Sequence, residues 1–405
     1  MNIFFYLFWS QIAEEPKKSI KKRLMSDVPL GIFLSGGIDS SSIVALLSEI
    51  VPNKKITTLN IAFTERSYDE SNYAQFIARH FNTNHHQTVL RPDVMINIFP
   101  KIIRSIDEPF ADPSIIPTYL LCEFARQYVV VALGGDGGDE LFAGYDPFLA
   151  NQFIISENFL YYISNLLKKI LRFIPCSGKN MNLNFKMHHF LKGIMPYTKN
   201  NIELRNILWL SSFTPDIQDQ LFKQNDEINI DYHSIYAETF SHKNKHRAQL
   251  PIDKLIDTYV SLYLHDDILV KVDRVSMMHS LEVRAPFLDK AFSEFINRLP
   301  VSMKIKGLNR KYILKKAMYS KLPKAIIYRS KKGFGIPIAQ WFRGPLRSML
   351  LDTFSSISVK KNSLFNHHYI GRLINEHLKL KEDNRKEIWT LFVFELWRQH
   401  CNVNL

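Results

Sequence analysis

Apolar residues run almost unbroken from Val28 to Leu34, stop at Ser35-Gly36-Gly37, and resume at helical spacing with Ile43, Leu46, Leu47 and Ile50. A short apolar run closed by glycine reads as a buried parallel strand, and the spacing after it reads as a helix. The pattern repeats. Ile56 to Phe63 predicts a second strand, and Ser67-Tyr68-Asp69-Glu70-Ser71 opens a helix running through Phe81, with acids in its first turn. His85 to Leu90 predicts a third strand. Ile115 to Gln127 predicts a helix capped by Ser114, with Pro117 in its first turn, and Tyr128 to Leu133 a fourth strand. Strands alternating with helices predict an α/β fold, a doubly wound parallel sheet with helices on both faces, whose ligands bind at the carboxyl ends of the strands.

Beyond Ala150 the alternation gives way to a mainly helical pattern. Asn158 to Phe173 and Pro251 to Val270 read as helices, and the tail Glu387 to Gln399, with Ile388, Leu391, Phe392, Leu396 and Trp397, as a core-docking helix. Residues Lys271 to Asp289 mix charged and apolar positions, which suggests buried ion pairs that are structural or line a pocket. Pro16 to Arg23 is a basic helical approach, read as a solvated face.

Two strands end in glycine turns that carry acids. The first is Ser35-Gly36-Gly37-Ile38-Asp39-Ser40, and the second runs from Gly134 through Gly135, Asp136, Gly137, Gly138, Asp139 and Glu140 to Tyr145. A strand–glycine–helix unit aims backbone N–H groups and a positive helix end at one point, which suits an anion such as phosphate. Asp39 sits at that point, and Asp39 and Asp139 together are placed to share one Mg²⁺ on the phosphates. No Gly-x-x-x-x-Gly-Lys-Ser/Thr string occurs, so a γ-phosphoryl-transferring P-loop is not expected.

Composition narrows the class. The chain has 405 residues, 46% of them hydrophobic, enough for a sizeable core. Its formal charge of +13 fits nucleic acid, an acidic membrane or small polyanions, and does not choose among them. The three cysteines, Cys122, Cys176 and Cys401, form no CxxC pair, which argues against a zinc ribbon or disulfide framework and for the cytoplasm. The apolar run Ile3 to Trp9 is far shorter than the roughly 20 residues that span a bilayer. Adjacent His85 and His86 in a strand point to opposite faces and do not read as a metal pair. Between Lys304 and Lys332 stand eleven Lys and Arg and no acid, read mostly as solvated faces. The segment ends in Arg329-Ser330-Lys331-Lys332-Gly333-Phe334-Gly335-Ile336-Pro337, the composition of a ligand-touching loop.

The Ser35–Ser40 string resembles the PP-loop of ATP pyrophosphatases. With Ser26–Ser41, Asp107–Thr118, Gly135–Tyr145, Asp273–Asp289 and Tyr328–Pro337 in order, the chain resembles the synthetase domain of class B asparagine synthetases. The resemblance implies a PP-loop core over about 26–150, a mainly helical region over about 151–405, and a remnant of an interdomain linker in 1–25. It implies ATP and Mg²⁺, an aspartate β-carboxylate adenylated with release of pyrophosphate, and ammonia attacking to give asparagine and AMP. By position it implies that Leu34, Ser35, Gly36, Gly37, Asp39, Ser40, Ile61, Gly134 and Gly135 bind nucleotide. It further implies that Asp39 and Asp139 hold Mg²⁺, that Asp136 serves acyl transfer, and that Lys331 offsets charge building on the phosphates.

Two departures accompany the resemblance. Family members that use glutamine carry an N-terminal glutaminase domain whose nucleophile is the cysteine directly after the initiator Met. Position 2 here is Asn, and the chain is expected to lack that domain. The chain is therefore expected to use ammonia, free or delivered by a separate glutaminase near Met1–Trp9. Many members also have Ser-Gly where Gly134-Gly135 stands. Alternatives left open are an amidotransferase for another carboxylate such as a sugar acid, a tRNA-modifying PP-loop ATPase, and a non-catalytic subunit or relic. No nucleic-acid or membrane partner is expected, and a homodimer is left open.

Overall fold

The computed structural model describes residues 14–153, 183–192, 201–222, 251–330, 333–355 and 364–403. Met1–Trp9, the expected helix Asn158–Phe173, Cys176 and Lys331 lie outside the described residues. By its internal contacts the chain divides into two compact units. One comprises residues 1–95, 114–149 and 256–336, the other residues 96–113, 150–255 and 337–405.

The first unit holds a five-stranded sheet of β1 (Leu30–Phe33), β2 (Thr57–Phe63), β3 (Asn84–Leu90), β4 (Val131–Leu133) and β5 (Glu282–Arg284). The strands are all parallel, in the order β3-β2-β1-β4-β5. Ile32 of β1 lies between Thr58 of β2 and Leu133 of β4. This is the expected doubly wound sheet. Its strand order reverses between β1 and β4, so the crevice for a ligand opens beyond the carboxyl ends of those two strands.

Some elements are shorter than the apolar runs foretold. β4 begins only at Val131 because the N–H groups of Tyr128 and Val129 both return to the carbonyl of Ala125, closing the preceding helix. β5 was not anticipated: one Val between Glu282 and Arg284 carries no period-2 signal. It is held by its backbone, with Glu282 N–H donating to Val130 O and Gly134 N–H to Arg284 O. Glu282 is exposed and accepts from Arg284 Nε at 2.6 Å, so this pair is not the buried one the sequence suggested. Charges on an edge strand hinder pairing with another chain.

Around the sheet lie α1 (residues 14–23), α2 (Ile38–Ile50), α3 (Ser71–His80), α5 (Ile115–Ala125) and the short α6 (Gly138–Leu141), while most of α4 (Pro92–Ser105) belongs to the second unit. Ile32 and Leu34 bury against Ile43, Val44 and Leu47 of α2 and Ala74 and Ile77 of α3, in a cluster that continues through Phe287 and Phe292. Burial of each such side chain stabilises by about 1.5–3 kcal/mol. α5 packs on β2 and β3. α1 is only partly solvated: Ser19 and Ile20 are buried, Lys17 pairs with Glu49 at 2.9 Å, and Lys22 and Arg23 both reach Asp289.

Ser114 does not cap α5. Its own backbone is already helical, and its hydroxyl accepts a hydrogen bond from Lys271 instead. The long helix expected over Pro251–Val270 changes type midway. Pro251–Thr258 is α-helical, Tyr259–Leu269 is a π-helix, and Val270–Met277 is α-helical again. Such i→i+5 segments are rare and frequently mark functional sites.

In the second unit the tail helix Arg385–His400 does dock on a core, through Ile388, Trp389, Leu391, Phe392 and Val393. The rings of Trp389 and Phe392 meet Phe99 at 5.0 and 5.9 Å. His377 is wholly buried, its Nε2 3.2 Å from Ala339 O, beside Asp383, which accepts from Arg385 Nε at 2.9 Å. Among the described residues no helix is long and apolar enough to cross a membrane.

Candidate functional site

Both acidic glycine turns leave neighbouring strands of the first unit. The turn after β1 begins with Leu34, whose N–H donates to Leu59 O and whose carbonyl accepts from Asn60 Nδ2. Gly36 has φ +70°, and a Cβ there would overlap the backbone of Tyr73 and Ala74, so both conformation and space require glycine. Ser35 and Ser40 close the loop: Ser35 N–H donates to Ser40 Oγ at 3.3 Å, and Gly37 N–H to Ser35 Oγ at 3.2 Å. Gly37 is the N-cap of α2 and offers no capping side chain, so the first N–H groups of α2 remain available to an anion.

The turn after β4 presses on that loop. A Cβ on Gly138 would sit 2.7 Å from Asp39 Oδ1, and one on Gly135 would sit 3.3 Å from Asp39 Cβ. Glycine at these positions lets the second turn lie directly against Asp39. Gly137, at φ +85°, turns the chain into α6, which carries Asp139. Asp39 and Asp139 thus converge.

A third group joins them that the sequence reading missed. Lys311 Nζ lies 2.5 Å from Asp39 Oδ2 and 2.7 Å from Asp139 Oδ1, with its side chain only 6% exposed. Burial works against its charge, but Asp139 and Asp39 overcome this and hold its pKa above the ordinary lysine value. Lys311 has φ +51°, an uncommon backbone for a residue with a Cβ, and Gly144 packs so tightly beside it that any side chain there would overlap Lys311 and Asp139. In the sequence it was one of eleven cations, most of them read as solvated faces. Lys304 is likewise buried.

Asp136 folds back over Gly134, where a Cβ would overlap its carboxylate. Burial pushes the Asp136 carboxyl up, and Lys271 opposes the shift. Lys271 is buried and donates to Ser114 Oγ at 2.6 Å. Glu140 is buried too. Burial and the adjacent Asp139 push it up to about 7, against a hydrogen bond from Tyr145. Tyr145 stacks on Tyr259 of the π-helix, with centroids 5.2 Å apart, and meets Tyr263 edge-to-face at 5.6 Å. Ile61 is buried within β2, opposite Thr88, on the side of the strand that also carries Leu59.

The two histidines of β3 serve packing. His85 Nδ1 lies 2.9 Å from Thr58 Oγ1, and His86 stacks on Tyr128. Cys122 is fully buried, and burial followed by Asp136 pushes its thiol up to about 12, as suits a packing residue.

What this arrangement can hold follows from its donors. Among the described residues no three His, Cys, Asp or Glu form a metal cage. Two carboxylates from separate strand ends, beside open helix N–H groups, suit a hard divalent cation that takes its other ligands from water and phosphate.

Comparison with known proteins gives the family. The asparagine synthase family model matches residues 11–399. Asparagine synthetase [glutamine-hydrolyzing] 1 of Bacillus subtilis is 30% identical over 383 residues, 94% of this chain and 57% of that protein. A putative asparagine synthetase of Methanocaldococcus jannaschii is 32% identical over 277 residues, 66% of this chain and 50% of that protein. Amidase chyE of Penicillium rubens is 25% identical over 371 residues, 81% of this chain and 52% of that protein. The chain thus spans about half the length of the curated relatives it matches. With its doubly wound sheet, its paired glycine turns and a match over nearly its whole length, this chain belongs to the asparagine synthase family.

Proposed function

We propose that this chain is an ATP-dependent amide ligase that makes asparagine from aspartate and ammonia. The reading rests on one observation above the rest: Asp39 and Asp139 meet at the strand-order switch, beside the open helix end of the Ser35–Ser40 loop.

In this reading Leu34, Ser35, Gly36, Gly37, Ser40, Ile61, Gly134 and Gly135 seat ATP, and its pyrophosphoryl end lies on the N–H groups of the loop. Asp39 and Asp139 hold a Mg²⁺, which neutralises phosphate charge when bound. An oxygen of the aspartate β-carboxylate attacks the α-phosphorus, the α–β P–O bond breaks, and pyrophosphate leaves. Lys331 offsets the charge gathering on the leaving oxygens. The ammonia nitrogen then attacks the acyl carbon, the carbon–oxygen bond to AMP breaks, and the attacking nitrogen loses a proton. Asp136 takes that proton; its raised pKa suits a general base. The nitrogen arrives as free ammonia or from a separate glutaminase, and the cytoplasm is the proposed compartment.

The test incubates the chain with ATP, Mg²⁺, aspartate and ammonium and assays all products. Equal amounts of AMP, pyrophosphate and asparagine are expected, and ADP as the main nucleotide would overturn the reading. A second acceptor has one observation in its favour, the match to a protein named an amidase. Pyrophosphate release with other carboxylates but not with aspartate would favour it.

A further inference from the structure

Arg329 belongs to the basic loop, two positions before Lys331, yet its guanidinium is not solvated. Its side chain is 9% exposed, and Nη2 donates to Glu70 Oε1 at 2.6 Å. The guanidinium carbon stands 4.5 Å from the centroid of Tyr73, so one face of the group is covered. Nη1 is fully buried, and among the described residues it has no hydrogen-bond partner.

Its position relates this spare donor to the phosphate loop. Tyr73, on which the guanidinium stacks, is the residue whose backbone packs against Gly36. A Cβ built on the next residue, Gly37, would lie 3.8 Å from Arg329 Nη2. The first turn of α3 therefore forms a block with the Gly36-Gly37 turn on one side and Arg329 on another. Glu70 fixes one edge of the guanidinium and leaves the other edge to a different acceptor. A planar fork already oriented by a carboxylate and a ring suits two oxygens of one anion better than an ammonium would. A buried donor without an acceptor is unfavourable until one arrives.

We propose that Arg329 is a pyrophosphate-contacting residue, whose Nη1 donates to non-bridging oxygens of the β,γ-end of the nucleotide and of the released pyrophosphate. This rests on the reading of the Ser35–Ser40 loop as the seat of an ATP phosphate chain. Glu70 and Tyr73 act as positioning residues for the guanidinium.

The experiment measures binding of magnesium pyrophosphate by titration calorimetry, and its inhibition of turnover, for the whole chain and for Arg329→Lys and Arg329→Ala. Wild type is expected to bind pyrophosphate. Arg329→Ala should weaken it at least tenfold, and Arg329→Lys should recover only part of the loss. In each variant the inhibition constant for pyrophosphate should rise by the factor by which its measured affinity falls, which a merely structural role would not do. If Arg329→Ala does not fold, the folded Arg329→Lys carries the comparison, with a loss of threefold or more expected. Unchanged pyrophosphate affinity in a folded variant overturns the proposal and leaves the ATP reading standing. Failure of wild type to bind either ATP or pyrophosphate overturns both.

Discussion

The ammonium of Lys311 lies 2.5 Å from a carboxylate oxygen of Asp39, across 272 residues of chain. It reaches Asp139 as well, so one buried cation holds together two acids that would otherwise repel. Removing one member of a buried ion cluster leaves uncompensated charge, at a cost of several kcal/mol. Lys311→Met should therefore lower stability by roughly 3 kcal/mol. Mg²⁺ should raise the melting temperature of the variant more than that of wild type, because it then supplies the missing positive charge. A variant as stable as wild type, or indifferent to Mg²⁺, would contradict this role.

Asp39→Asn and Asp139→Asn each keep the shape of the site and remove one charged ligand. Both should lose pyrophosphate release by on the order of a hundredfold or more, and both should need higher Mg²⁺ for half-maximal rate. Wild-type Mg²⁺ dependence in either variant would exclude that carboxylate from the metal.

Lys331→Ala should lower kcat and kcat/KM together, by roughly a hundredfold, since the lysine is proposed to act on charge that develops in the transition state. A raised KM for ATP at unchanged kcat would instead mean that it binds ground state and transition state alike. Because Arg329 is proposed to contact pyrophosphate, the two variants should separate, with pyrophosphate affinity falling more in Arg329→Ala.

His377 makes stability depend on pH. Burial, followed by the Arg343 charge, lowers its pKa to about 4, against about 6.5 when unfolded. As pH falls below about 6.5 the unfolded chain takes up a proton that the folded chain refuses, so stability is lost down to about pH 4 and then levels off. The loss is at most about 3 kcal/mol. Asp383 has a depressed pKa, so its own contribution disappears only at lower pH, below the usual aspartate value. Urea unfolding of wild type and His377→Gln at several pH values checks this: the variant should show a flatter dependence between pH 4 and 6.5.

The two glycine turns were legible because their chemistry is local. Gly36 needs positive φ, Gly138 needs close approach, and both demands leave a mark at one position in the chain. β1, β2 and β4 were legible because buried parallel strands are mostly apolar on both faces. Lys311 was not, since its burial depends on where Asp39 and Asp139 end up, and nothing in Asn309-Arg310-Lys311-Tyr312 marks it as the buried cation. β5 was hidden for a similar reason: its place in the sheet comes from backbone pairing with β4, while its side chains are mostly charged. The π-helix keeps an apolar sequence like that of an α-helix, and only its packing reveals the wider turn.

The order of the chain through the sheet has a kinetic consequence. Asp39 and Asp139 are synthesised long before β5 and Lys311, and residues 150–255, which belong to the other unit, come between. A nascent chain ending near residue 250 would hold both carboxylates without their buried cation and β4 without its outer neighbour. The first unit can close only by a contact of very long sequence separation, the kind that slows folding most. Its nucleotide crevice should therefore be among the last parts of the molecule to mature during synthesis, and a chain released early should be prone to aggregate along the open edge of β4.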